Sequence, residues 1–175
     1  MKKKKITKSK GILFWLTGLS GSGKSSIAKK IKSKINKKYG PTIIFNGDDL
    51  RNILKLKGYS LPSRLENGYK FSELFKFMLN QKINIIFAGV GLFHKLRNYN
   101  KKNIHNYVEI YIKSDLNKIL LVGKKKIYQK KLSNIVGKDL HAEFPRRPDI
   151  IVDNNFKVGI NKLVDQLFKD IKKLI

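Results

Sequence analysis

With 175 residues, 41% of them hydrophobic, the chain is long enough for one domain with a sizeable core, and without cysteine it holds no disulfide or thiolate metal site. No apolar run approaches the roughly 20 residues of a membrane span, so a cytoplasmic protein without membrane attachment is expected. The formal net charge is +27, yet only five of the 39 basic residues are arginine and the lysines are spread over nearly every segment, which points to small anionic substrates rather than to the clustered footprint of a nucleic-acid binder.

The basic start, residues 1–10, leads into an apolar run, 12–16, that ends at a glycine-rich loop. The run therefore reads as a first strand and not as a signal peptide. Gly18-Leu19-Ser20-Gly21-Ser22-Gly23-Lys24-Ser25 fits G-x-x-x-x-G-K-[ST] in full, and Ser26 leads into a helical pattern at Ile27, Ala28, Ile31 and Ile35. Strand, loop and helix in this order are the context a phosphate-binding loop requires. The glycines let backbone N–H groups turn towards phosphate oxygens, and the first helical turn adds its unpaired donors. Lys24 is expected to face solvent until it reaches the β- and γ-phosphates, and the Ser25 hydroxyl to sit on Mg²⁺.

Gly40-Pro41 stops this helix, and 42–45 is a second strand. Asn46-Gly47-Asp48-Asp49 follows, with a short helix from about Asp49. Gly58 to Pro62 reads as a turn. Residues 63–81 form a long helix with Leu65, Phe71, Leu74, Phe75 and Met78 on one side. Residues 83–88 are a third strand, 94–102 a helix and 107–112 a fourth strand. Asp115 opens another helix, 150–152 is a fifth strand, and the spacing of Ile160, Val164, Leu167, Ile171 and Leu174 predicts a closing core helix. Strands alternating with helices imply an α/β fold: a five-stranded parallel sheet with helices on both faces. Ligands of such sheets bind at the carboxyl ends of the strands. The phosphate loop, the Asp48 segment and residues 88–92 all fall there. Residues 123–148 are basic and polar, with two prolines and no sustained period. They read as a surface excursion or as a lid. The whole of 1–175 is one domain, and the sequence leaves a homodimer open.

An ordered set of motifs narrows the comparison. Trp15 to Ser25, Asn46-Gly47-Asp48-Asp49-Leu50-Arg51, Gly58-Tyr59-Ser60-Leu61-Pro62-Ser63-Arg64-Leu65-Glu66-Asn67, Lys125-Lys126-Ile127-Tyr128 and Arg147-Pro148-Asp149-Ile150-Ile151-Val152-Asp153-Asn154 together resemble the adenylyl-sulfate (APS) kinases. The resemblance runs from about Phe14 to Asn155. It implies a P-loop kinase that uses MgATP to phosphorylate a nucleotide 3′-hydroxyl. It implies that residues 18–26 bind ATP, that Lys24 and Asp48 are catalytic, and that Ser25 and Asp48 serve Mg²⁺. It places Arg51, Arg64 and Asn67 on the acceptor nucleotide and Tyr59 on its base. Val90, Gly91 and Ile135 border the same acceptor, and Lys125 belongs to the lid. Read alone, Asp48 also suits a helix N-cap, Tyr59 a core aromatic, and Arg64 to Asn67 a solvated helix face.

The chain departs from the family pattern where the acceptor and lid lie. Asn46 replaces the first carboxylate of D-G-D. Gly91-Leu92-Phe93 replaces S-P-Y, which leaves no hydroxyl for a phosphoserine intermediate there. Ile135 replaces a second stacking Phe, and the Arg-Asp pair of the lid is missing. An intact ATP loop with an altered acceptor pocket is similar to the cytidine diphosphoramidate (CDP-amidate) kinase branch, whose products serve capsule biosynthesis. APS is the alternative acceptor. A different alcohol substrate, or a basic NTP-binding protein without transfer activity, are the readings from other classes.

Overall fold

The computed structural model describes residues 3–122 and 133–175. Alternation along the first strand, β1 (Leu13–Thr17), sets the plan of the molecule. Every residue of β1 is buried. Successive side chains of a strand point to opposite faces. Leu13 and Trp15 accordingly enter one core, and Phe14 and Leu16 the other. A strand buried on both faces needs helices above and below it.

Those helices follow in the expected alternation. After β1 come α1 (Lys24–Tyr39), β2 (Thr42–Asn46), α2 (Gly47–Ile53), α3 (Leu61–Asn80), β3 (Asn84–Ala88), α4 (His94–Asn103), β4 (Tyr107–Lys113), α5 (Leu116–Leu121), β5 (Ile150–Asp153) and α6 (Ile160–Leu174). The five strands pair in parallel in the order β2-β3-β1-β4-β5. On one face α1 and α6 pack together through Ile27, Ile31, Ile35, Leu167 and Ile171. On the other, α3 and α4 bring Phe71, Phe75, Leu79 and Leu96 against Trp15 and Phe87.

Two helix starts differ from the sequence reading. The third helix begins at Leu61 rather than at Ser63. Ser60 is its N-cap, accepting a hydrogen bond from Ser63 N at 3.4 Å, and Pro62 lies in the first turn. Proline is tolerated there because its missing N–H would have had no intrahelical partner. The second helix begins at Gly47, so Asn46 is its N-cap residue and Asp48 lies inside the first turn.

Register then levels the strand ends. Leu16 and Asn46 both pair with Ala88, from opposite sides of β3. The loops that leave β1, β2 and β3 thus emerge side by side at one edge of the sheet. Residues 133–148 contain no named helix or strand, yet part of the segment packs into the core rather than over the surface. Ile135, Val136 and Ala142 are buried in the core that contains Trp15. Residues 123–132 of the expected lid, with Lys125, lie outside the described residues.

Candidate active site

The three loops enclose a cavity of about 370 Å³. Ser20, Gly21, Gly23, Lys24, Ser25 and Ser26 line it from the phosphate loop. Asn46, Gly47, Asp48 and Arg51 line it from the end of β2 and from α2, Arg64 and Asn67 from α3, and residues 88–91 from the end of β3. Phosphate-binding and acceptor-binding residues read separately from sequence therefore face one space.

The phosphate loop has the backbone its glycines require. Gly18, Gly21 and Gly23 all have positive φ, and a Cβ on Gly18 would lie 2.5 Å from Ile112 O. Ser22 is buried, and its carbonyl accepts a hydrogen bond from Asn154 Nδ2 at 2.9 Å. Asn154 follows β5, so the far side of the sheet buttresses the loop. Leu19 is buried in the core beneath it. Lys24 does not face solvent as expected. It is 8% exposed, and its Nζ donates to Gly18 O at 2.9 Å and Leu19 O at 2.7 Å. The carbonyl oxygens of the same loop solvate the buried ammonium, which explains why a lysine is stable there.

Asp48 is exposed and lines the cavity together with Ser25. Asn46 donates from Nδ2 to Asp49 Oδ2 at 2.8 Å, so the neighbouring carboxylate is held by an amide. No group of three or more His, Cys, Asp or Glu capable of holding a metal occurs among the described residues. Mg²⁺ in phosphoryl-transfer sites needs no such cage. It keeps several waters and takes one or two protein oxygens beside the substrate phosphates. One hydroxyl and one carboxylate in a shared cavity fit that demand.

The wall made by α2 and α3 carries two guanidinium groups. Arg51 is 8% exposed and donates from Nη2 to Gly58 O at 2.8 Å, while its Nη1 has no partner among the described residues. Arg64 donates from Nε to Tyr59 O at 2.8 Å and from Nη2 to Asn134 O at 2.9 Å. The Tyr59 ring lies 4.4 Å from the Arg51 guanidinium carbon and 5.1 Å from that of Arg64. Burial lowers the Arg64 pKa, the positive charge of Arg51 lowers it further, and Tyr59 and Asp48 oppose the shift. Two partly desolvated cations so close together favour an anion between them. Asn67 is buried, and its Nδ2 has no hydrogen-bond partner among the described residues. It is not part of a solvated helix face. Tyr59, 52% exposed, is not a core aromatic.

One expected acceptor residue sits differently. Ile135 does not line the cavity; it is 4% exposed and packs in the core that contains Leu19. It presents no open surface to a base in this structure. Val90 and Gly91 do line the cavity, and the Val90 carbonyl accepts hydrogen bonds from Thr17 Oγ1 and from Gly18 N. This ties the cavity wall after β3 to the phosphate loop. Sequence reading missed the apolar end of the cavity, made by Trp15, Phe71, Phe87, Phe93 and Leu96. Periodicity marks these side chains as core and carries no sign that they also border a ligand space.

A model of the family described as adenylylsulphate kinase matches residues 10–153. The chain belongs to the adenylylsulphate kinase family. Among similar proteins is a cytidine diphosphoramidate kinase of Campylobacter jejuni, 31% identical over 94% of this chain and 98% of its own length. An adenylyl-sulfate kinase of Clostridium acetobutylicum is 32% identical over 98% of this chain and 88% of its own. The solved Mycobacterium tuberculosis APS kinase, in complex with AMPPNP and APS, superposes with a TM-score of 0.83 at 22% identity, covering 93% of this chain and 98% of that one. The fold is that of the P-loop kinases. As a member of an ATP-using kinase family, the chain is a phosphotransferase with a hydroxyl group as acceptor.

Proposed function

We propose that this kinase transfers the γ-phosphoryl group of ATP to the 3′-hydroxyl of a nucleotide, and that the nucleotide is cytidine diphosphoramidate. One observation carries the reading: an intact phosphate loop, Asp48, and the Arg51, Arg64 and Asn67 side chains line a single cavity, and two of their buried donors, Arg51 Nη1 and Asn67 Nδ2, have no partner among the described residues. Buried donors without partners are costly unless a ligand satisfies them. A nucleotide with an anionic 5′ tail supplies the acceptors they lack. The relative from Campylobacter jejuni, alike over nearly its whole length, supports the cytidine acceptor.

In this mechanism Lys24 leaves the carbonyls of Gly18 and Leu19 and moves its charge to the phosphate oxygens. Ser25 and Asp48 would hold Mg²⁺, which would supply neutralisation of the phosphate charge. Asp48 orients the acceptor hydroxyl and takes its proton late, as a loose phosphoryl transition state requires little base strength. Arg51 and Arg64 fork onto the 5′ tail, and the Tyr59 ring beside them offers a surface to the base. Gly91 has no hydroxyl, so transfer is direct.

APS is the second reading, supported by adenylyl-sulfate kinases of comparable identity. Incubation of the protein with MgATP and either CDP-amidate or APS, followed by product analysis, tests both. A 3′-phosphorylated cytidine product formed with the higher kcat/KM is expected. A clear preference for APS rejects the cytidine assignment, and ATP turnover unaffected by either nucleotide rejects the nucleotide 3′-kinase.

A further inference from the structure

The wall of the acceptor cavity after β3 is held from a segment far away in sequence. α4 begins at His94, and its N-cap residue, Phe93, provides no side-chain cap. The cap comes instead from Glu143, 49 residues later, whose Oε2 accepts a hydrogen bond from His94 N. The backbone N–H of Glu143 donates to Leu92 O at 3.0 Å. Glu143 thus grips both sides of Phe93, which lines the cavity. From the opposite side Arg97 Nη1 donates to Gly91 O at 3.1 Å. The segment that carries Glu143 also touches the other two parts of the site. Asn134 O accepts from Arg64 Nη2, and Gly137 lies so close to Leu19 of the phosphate loop that a Cβ there would be 2.5 Å from Leu19 Cδ2.

We propose that Glu143 is the positioning residue of the acceptor wall, and that through it residues 134–143 link the wall, the acceptor arginine and the phosphate loop. The inference rests on the nucleotide-acceptor reading above. A carboxylate on a helix N-terminal N–H is a charge-assisted bond, stronger than a neutral one. Its loss frees the turn that sets the position of Phe93, while the phosphate loop keeps its own buttress at Asn154.

The test uses Glu143→Ala and Glu143→Gln in the full chain. Glutamine keeps an oxygen that accepts from His94 N; alanine keeps none. In Glu143→Ala the KM for CDP-amidate should rise roughly tenfold, the size of one lost charge-assisted bond, with kcat and the KM for ATP changed less than about twofold. Glu143→Gln, with a neutral acceptor, should recover about half of the loss in free energy, roughly threefold in KM. Hydrogen exchange over residues 89–94 should quicken in the alanine variant and return in the glutamine one. Equal rises in both Michaelis constants, or an unchanged acceptor KM with unchanged exchange, overturn the proposal. If the unmodified protein transfers to neither CDP-amidate nor APS, the acceptor reading fails instead, and exchange at residues 89–94 still decides whether Glu143 holds the wall.

Discussion

Lys24 carries two tasks that separate under mutation. Its ammonium is bonded to two carbonyls of the loop, which it leaves in the proposed transfer. Lys24→Ala should cost several orders of magnitude in kcat, because charge neutralisation supplies much of the rate of phosphoryl transfer. It should also lower stability by about 1–2 kcal/mol, the net worth of those bonds. A kinetic assay and a urea titration of the same variant read the two effects, and turnover close to normal would remove Lys24 from the reaction. Asp48 is exposed and outside both cores, so Asp48→Asn should leave the unfolding midpoint unchanged while kcat falls by about a hundredfold or more. A rise confined to the acceptor KM would make Asp48 a binding residue only. Ile135 belongs to the core. Ile135→Phe should overpack it against Leu19 and cost about 1–3 kcal/mol. A shift in base preference without loss of thermal stability would return Ile135 to the acceptor pocket.

Among elements, the strands and the phosphate loop were legible because their signals are local. Apolar runs end at glycine, and the loop motif names its own residues in order. The helix boundaries were legible to within two residues, and Ser60 and Pro62 explain the difference at α3. What escaped depends on distant partners. Nothing near His94 announces that its N–H is capped from Glu143, and nothing near Ser22 announces Asn154. The buried charges of α4 and β4 are a further case. Arg97 and Glu109 are 2% and nearly 0% exposed; Arg97 Nε lies 2.9 Å from Glu109 Oε1, and Lys101 Nζ lies 2.6 Å from Oε2. Burial pulls the Arg97 pKa down, and the Glu109 carboxylate opposes this. Glu109→Gln keeps the shape and removes the counter-charge. Breaking one partner of a buried pair costs about 3–5 kcal/mol, so this variant should unfold at markedly lower urea, and an unchanged midpoint would show that the pair adds no stability.

For the whole molecule, the sheet edge and the charge act together. The sequence placed three loops at the carboxyl ends of the strands, and the register of β1, β2 and β3 brings them to one cavity. The apolar lining of that cavity and the burial of Lys24 needed the tertiary structure. The net charge of +27 surrounds the site with a positive field. Such fields raise encounter rates of anions and are screened beyond about 10 Å at 0.1 M salt. Raising salt from about 50 to 300 mM should therefore lower kcat/KM for the anionic acceptor several-fold with kcat nearly constant. A salt-independent kcat/KM would mean that the scattered lysines do not steer the substrate.

Gly91 bears on which side chains this wall can accept. Its φ is +48°, and a Cβ placed there would lie 3.0 Å from Trp15 Nε1, 3.1 Å from Trp15 Cζ2 and 3.3 Å from Thr17 Oγ1. Trp15 is fully buried among Phe75, Phe87 and Tyr107 and has little room to retreat. A codon change to serine would meet a left-handed backbone and a fixed indole at once. A phosphorylatable hydroxyl at this position would therefore carry both a backbone and a packing cost, which sits well with the proposed direct transfer from ATP to the acceptor.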